Sequence, residues 1–352
     1  MDVNKTIDFL ESSFLSTLLT NPNVTDISFN GQAIYYLDNL KGRMLSSIIV
    51  DPNDIKDFLR QIANLCEKQF SYQTPILDLS VGRYRINAVH QSIGRKNNDQ
   101  CLTFSIRLAS KKPIITNDSD MLTKELISLF NVLLESNLSI VIGGLTGSGK
   151  TEFQKYLISQ IKTYSRLIII DNVLELDNLV NQNKLDLNTW QVDEKNQSSS
   201  IQLLVKNALR SNPDWLIVAE SRGKEMLEVL NSAMTGHPII TTIHALDIDS
   251  MPHRIARMVM MADEKMDFDS LMFDIHYHFR IYVYLKREID NHGLVHRYIQ
   301  EVSEIDEQGN KNVIYASDGH KREYFPISKE LLKKLSYQNN QIFINTFTRD
   351  KK

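Results

Sequence analysis

The rhythm of apolar positions changes near residue 110. Before it the apolar runs are short and end in turn residues. Val24–Phe29 stops at Asn30-Gly31, Ala33–Leu37 stops at Asp38-Asn39, and segments 83–89 and 101–108 flank the polar stretch Gly94–Asp99. One segment keeps helical spacing: after Asp51-Pro52-Asn53, residues 54–70 place Ile55, Phe58, Leu59, Ile62, Leu65 and Cys66 on one face. Phe9, Leu10, Phe14, Leu15, Leu18 and Leu19 predict an amphipathic helix at the start of the chain. Residues 1–110 are therefore expected to form a small α+β domain, and the Pro113-containing polar stretch 111–121 a linker.

Beyond the linker, from residue 122 to 352, continuous Ile/Val/Leu runs alternate with helical segments. Strands are predicted at 138–142, 167–170, 215–219 and 239–243, with helices near 151–162, 201–210 and 224–234. Strands apolar on both sides and separated by helices predict an α/β domain with a mostly parallel sheet buried on both faces. β character returns over 281–285 and 295–302, and no internal repeat is evident.

Composition removes several classes of function. Of 352 residues 42% are hydrophobic and 24% charged, as in an ordinary folded protein. Forty Lys and Arg against 43 Asp and Glu give a formal charge of -3, so no global field draws the chain to nucleic acid, and no stable nucleic-acid binding is expected. The two cysteines, Cys66 and Cys101, form no CxxC pair, which argues against a zinc ribbon and suits a reducing compartment. Asp2, Asp8 and Glu11 interrupt the first apolar stretch, unlike a signal peptide, and no run reaches the roughly 18–20 residues of a spanning helix. A cytoplasmic protein without a transmembrane segment is expected. From Gly319 on, eight Lys and Arg against three acids are dispersed over the tail, which predicts a solvated segment more than a membrane-binding one.

The chemistry concentrates in the second domain. Gly144, Leu145, Thr146, Gly147, Ser148, Gly149, Lys150 and Thr151 fit G-x-x-x-x-G-K-[ST] between an apolar strand and a helix, and with the following Glu152 form the candidate nucleotide-binding set. Glycines let successive backbone N–H groups turn inward on the phosphates, and the helix start adds its positive end. Lys150 is placed to reach the β- and γ-phosphates of ATP, and the Thr151 hydroxyl to hold Mg²⁺. Glu220 follows the strand Trp215–Ala219, where a carboxylate projects into the crevice at the strands' carboxyl ends, placed to handle the attacking water and to stand on the metal side with Thr151. Asp171 ends the preceding strand and either helps bind the Mg²⁺ or its waters or is a solvated strand end. His244 ends another apolar strand and is a candidate γ-phosphate sensor, while lone histidines are more often structural. His276 and His278, two apart, would share one face of a strand and are read as structural.

These motifs resemble the secretion ATPase superfamily of type II and type IV secretion, conjugation and pilus assembly, most of all its CpaF-like and conjugation branches. The phosphate loop is followed in order by Ile170-Asp-Asn-Val-Leu-Glu-Leu176, Asn207–Asp214, Glu220-Ser-Arg-Gly-Lys-Glu225 and Thr242-Ile-His-Ala245. The first domain contributes Asn23–Gly31, Asp78–Val89 and Thr103–Arg107. The resemblance implies a P-loop, RecA-like domain preceded by a smaller PAS-like α+β domain. It further implies a homo-hexameric ring at the inner face of a membrane, working with membrane components of a secretion or pilus machine. It also assigns Arg85 and Arg107 to the bound phosphates. Where relatives commonly carry Glu-Asp, this chain has Asp171-Asn172, which makes slow hydrolysis a prospect. An ATP-driven motor is the first expectation. A nucleotide-gated scaffold with little hydrolysis and a DNA-translocating ring are the alternatives.

Overall fold

A computed structural model describes residues 2–110, 114–172, 175–176, 185–192, 199–262 and 265–348. Val173 and Leu174 of the acidic box, and residues 111–113 of the expected linker, lie outside the described residues. The chain divides into two compact units, Met1–Lys112 with Ile289–Val295, and Pro113–Glu288 with His296–Lys352.

In the first unit, helices α1 (Val3–Glu11), α2 (Ser16–Leu19) and α3 (Pro52–Leu65) accompany strands β1 (Val24–Phe29), β2 (Ile34–Asp38), β3 (Gly42–Leu45), β4 (Ile76–Val81), β5 (Tyr84–Val89), β6 (Arg95–Lys96), β7 (Asp99–Gln100) and β8 (Thr103–Leu108). Local sequence sets these boundaries. The Asp51 side chain accepts from the Asn53 N–H and Pro52 occupies the first turn of α3, where its missing N–H costs nothing. Six strands form a sheet in the order β3-β2-β1-β8-β5-β4, its recorded pairings antiparallel. Ile55, Phe58, Leu59 and Ile62 of α3 pack with Ile27, Ile86 and Ile106 of the sheet in one core.

The second unit contains helices α4 (Lys124–Glu135), α5 (Lys150–Gln160), α6 (Ile201–Ala208), α7 (Met226–Met234), α8 (Ser250–Met260), α9 (Phe268–His278), α10 (Lys329–Leu332) and α11 (Gln341–Phe347). Its strands are β9 (Ile140–Gly144), β10 (Arg166–Asp171), β11 (Asp186–Gln191), β12 (Trp215–Val218), β13 (Ile239–Ile243), β14 (Ile281–Ile289), β15 (Val295–Ile305), β16 (Lys311–Ser317) and β17 (Arg322–Tyr324). They order as β11-β10-β12-β13-β9-β14-β15-β16-β17, parallel from β11 through β14 and antiparallel over β15–β17. Side chains alternate between faces. Ile140, Leu167, Ile217 and Val283 join the core that contains α4 and α5, whereas Val141, Ile168, Leu216 and Tyr282 join the core that contains α6, α7 and α8. A mostly parallel α/β sheet covered on both faces is thus the fold, beside an α+β unit.

Two expectations are corrected. His276 and His278 lie on helix α9, not on a strand, so two positions apart turns them to different sides of the helix. The tail is not a solvated segment: Leu331, Leu335, Phe343 and Phe347 are buried in the core with Leu129 and Phe130 of α4. Dispersed charge masked the apolar spacing beneath it. Helices α4, α8, α9, α10 and α11 and strands β3, β11 and β17 are among the elements that the sequence pattern did not predict.

Candidate functional site

The site forms where the parallel strands end. β9 runs into the phosphate loop, and Gly149, with φ 96°, turns the chain in the left-handed region to start α5 at Lys150. Gly144 answers a second constraint. A Cβ there would stand 2.5 Å from Ser148 Oγ and 2.6 Å from the Leu285 carbonyl, so only glycine fits. Lys150 is buried, and its Nζ donates to the carbonyls of Gly144 at 2.9 Å and Leu145 at 3.1 Å, folding the ammonium over the loop. Ser148 Oγ is buried inside the loop with no hydrogen-bond partner among the described residues. Glu152 turns its carboxylate away, to Lys155 Nζ at 2.6 Å and the Ile114 N–H at 3.4 Å, so what it offers the loop is backbone.

Glu220, His244 and Lys150 come together. Glu220 lies beyond β12, with Arg222 Nη2 2.7 Å from Oε2 and His244 Nε2 3.0 Å from Oε1. His244 Nδ1 is 3.4 Å from Lys150 Nζ. Glu220 Oε1 is buried without an aligned hydrogen bond. Burial works to raise the Glu220 pKa, but the hydrogen bond and charge of Arg222, with His244 and Lys150 behind them, outweigh it and hold the carboxyl below its ordinary value. Burial and the Lys150 charge push His244 the other way, below the usual histidine range, against the opposing pull of Glu220. Both shifts favour a carboxylate at Glu220 and a neutral imidazole at His244.

Asp171 is no solvated strand end. It is 3% exposed, and Oδ2 accepts the Leu176 N–H at 3.1 Å, so this carboxylate shapes the turn after β10. In the first unit, register pairs Arg85 of β5 directly with Arg107 of β8, on one face of the sheet. Two guanidinium groups opposite one another repel. Asp26, 3.4 Å from Arg107 Nε, and Asp78, 3.9 Å from Arg85 Nε, offset that charge.

The sequence reading missed Arg222, which grips Glu220, and Arg297, whose Nε donates to the Gly147 carbonyl at 2.7 Å. Arg222 had a local signal, lying two residues past a strand-end glutamate. Arg297 had none, since its partner is far away in the sequence. No group of three or more His, Cys, Asp or Glu able to hold a metal occurs among the described residues. The site nevertheless suits a nucleotide and its Mg²⁺: a loop that only glycine can follow, an unpartnered buried hydroxyl, a buried carboxylate oxygen and a lysine converge at one place.

Comparison with known proteins bears on the family and the fold. A family model described as type II/IV secretion system protein matches residues 85–277. An uncharacterized protein of Bacillus anthracis is 27% identical over 340 residues, covering 87% of this chain and 72% of that protein. Conjugal transfer protein TrbB of Rhizobium radiobacter is 25% identical over 261 residues, covering 72% of this chain and 77% of its own length. Among solved structures, the Legionella pneumophila ATPase DotB superposes with a TM-score of 0.61 at 17% identity, over 91% of this chain and 81% of that one, a likeness of fold.

Proposed function

The chain belongs to the type II/IV secretion system protein family, and from that membership we propose that it is an ATP-hydrolysing motor for conjugation, type IV secretion or pilus assembly. The observation that carries the reading is the convergence of Lys150, Glu220 and His244 at the end of a phosphate loop that no side chain at 144 would permit. The loop's N–H groups and the start of α5 bind the phosphates. Lys150 exchanges two neutral carbonyl partners for phosphate oxygens, a stronger, charge-assisted contact. Thr151, with Glu220 facing it in role, would hold Mg²⁺, which when bound supplies positive charge to the β- and γ-phosphate oxygens. Glu220, kept ionised, orients the attacking water or accepts its proton. His244, kept neutral, senses the terminal phosphate, and a phosphate-binding role for the Arg85–Arg107 pair rests on the family resemblance.

A homo-hexameric ring at the cytoplasmic face of a membrane machine, with that machine's membrane components as partners, completes the proposal. Among the described residues no helix is long and apolar enough to cross a membrane. Turnover of ATP by the purified chain should vanish in Lys150→Ala and fall about a hundredfold or more in Glu220→Gln, the scale of losing one acid–base group. Unmodified turnover in either variant would refute the site.

One observation favours a second reading, a nucleotide-gated scaffold. The Asp171 carboxylate is engaged by the Leu176 backbone and is followed by Asn172 rather than an acid. Tight ATP binding without phosphate release would select the scaffold.

A further inference from the structure

β14 and β15 are neighbours in the sheet joined by residues 290–294, a connection so short that the pair must be an antiparallel hairpin. Arg287 and Arg297 of these strands lie against the phosphate loop. Arg297 of β15 donates from Nε to the Gly147 carbonyl at 2.7 Å, and its Cδ stands 3.6 Å from where a Cβ of Gly149 would lie. Arg287 of β14 places its Cδ 3.7 Å from the corresponding point at Gly147. Gly147 has φ 77°. A carbonyl held by a hydrogen bond in this left-handed turn fixes the plane of its peptide. Burial and the neighbouring Arg287 charge lower the Arg297 pKa, so two like charges sit beside a loop built for anions.

We propose that Arg297 is a positioning residue that sets the shape of the phosphate loop through Gly147. The guanidinium holds the Gly147 peptide plane, and with it the left-handed turn that leads into Gly149 and Lys150. This inference rests on the nucleotide site proposed above.

The test uses the full-length chain, Mg²⁺ with ATP for turnover, and Mg²⁺ with a non-hydrolysable ATP analogue for amide hydrogen exchange. Arg297→Ala should raise KM for ATP about tenfold, the scale of a lost hydrogen bond to a charged group, with kcat changed less than about threefold. Arg297→Lys, which keeps a cationic donor, should recover part of that loss. In the unmodified chain the analogue should slow exchange across 144–149, and in Arg297→Ala this protection should weaken. A KM within about twofold of the unmodified value in Arg297→Ala, or equal protection of 144–149 in the two proteins, would overturn the proposal. Lys150→Ala separates the two levels of inference. If it abolishes nucleotide binding while Arg297→Ala is neutral, the brace alone fails, whereas no binding by the unmodified chain removes the nucleotide site itself.

Discussion

At the scale of single residues the site is governed by how each charge is held. Glu220 lies in a place where burial alone would raise its pKa, and it is kept low chiefly by Arg222. Removing the guanidinium leaves burial as the leading influence. In Arg222→Ala the Glu220 pKa should therefore rise, and the acidic limb of kcat/KM against pH should move to higher pH. A pH–rate profile of the two proteins checks this, and superimposable acidic limbs would show that Arg222 does not set the ionisation of Glu220. The phosphate loop was legible in the sequence because its chemistry is a contiguous backbone pattern, and Lys150, Glu220 and His244 fell where strand ends predicted. Arg222 was marked only by its place two residues past Glu220, and Arg297 was not legible as functional: a hydrogen bond to Gly147 arises only when the sheet places β14 and β15 beside β9.

At the scale of elements, legibility followed how local the forces are. β13 was read with its observed limits because five consecutive apolar or β-branched residues have one good solution in a parallel sheet. The end of the chain was misread because its surface charge is distributed evenly, while Phe343 and Phe347, four apart on α11, point together into the core against α4. This predicts a cost. Phe347 is fully buried, so Phe347→Ala should destabilise the second unit by about 3–5 kcal/mol, the range for deleting a large core side chain. Chemical denaturation followed by fluorescence or circular dichroism measures it. A change under about 1 kcal/mol would mean that α11 does not seal the core. His276 and His278 illustrate the converse error: a period of two reads as a strand, and only the packing of α9 on α7 and α8 decides otherwise.

At the scale of the whole molecule, each unit has its own core, and four histidines with depressed pKa values are shared between them. His90 lies in the first unit, and His244, His276 and His278 in the second. Burial is the leading cause in every case. An unfolded histidine takes up its proton near pH 6.5, whereas these do so only at lower pH, so within that interval the unfolded chain binds more protons. Stability must therefore fall as pH drops through about 6.5 toward the folded values. Carboxyls with lowered pKa, such as Glu220 and Asp306, act in a separate window, losing their contribution only below the ordinary carboxylate range of about 4. Thermal unfolding at pH 7.5 and 5.5 should show lower midpoints at the acidic value, with a larger drop for the transition of the second unit, which holds three of the four groups. His276→Gln and His278→Gln, which remove the titration, should narrow the gap between the two pH values. Midpoints that stay level or rise on acidification would mean that these rings take up protons as readily folded as unfolded, and the charge state assigned to His244 would fall with them.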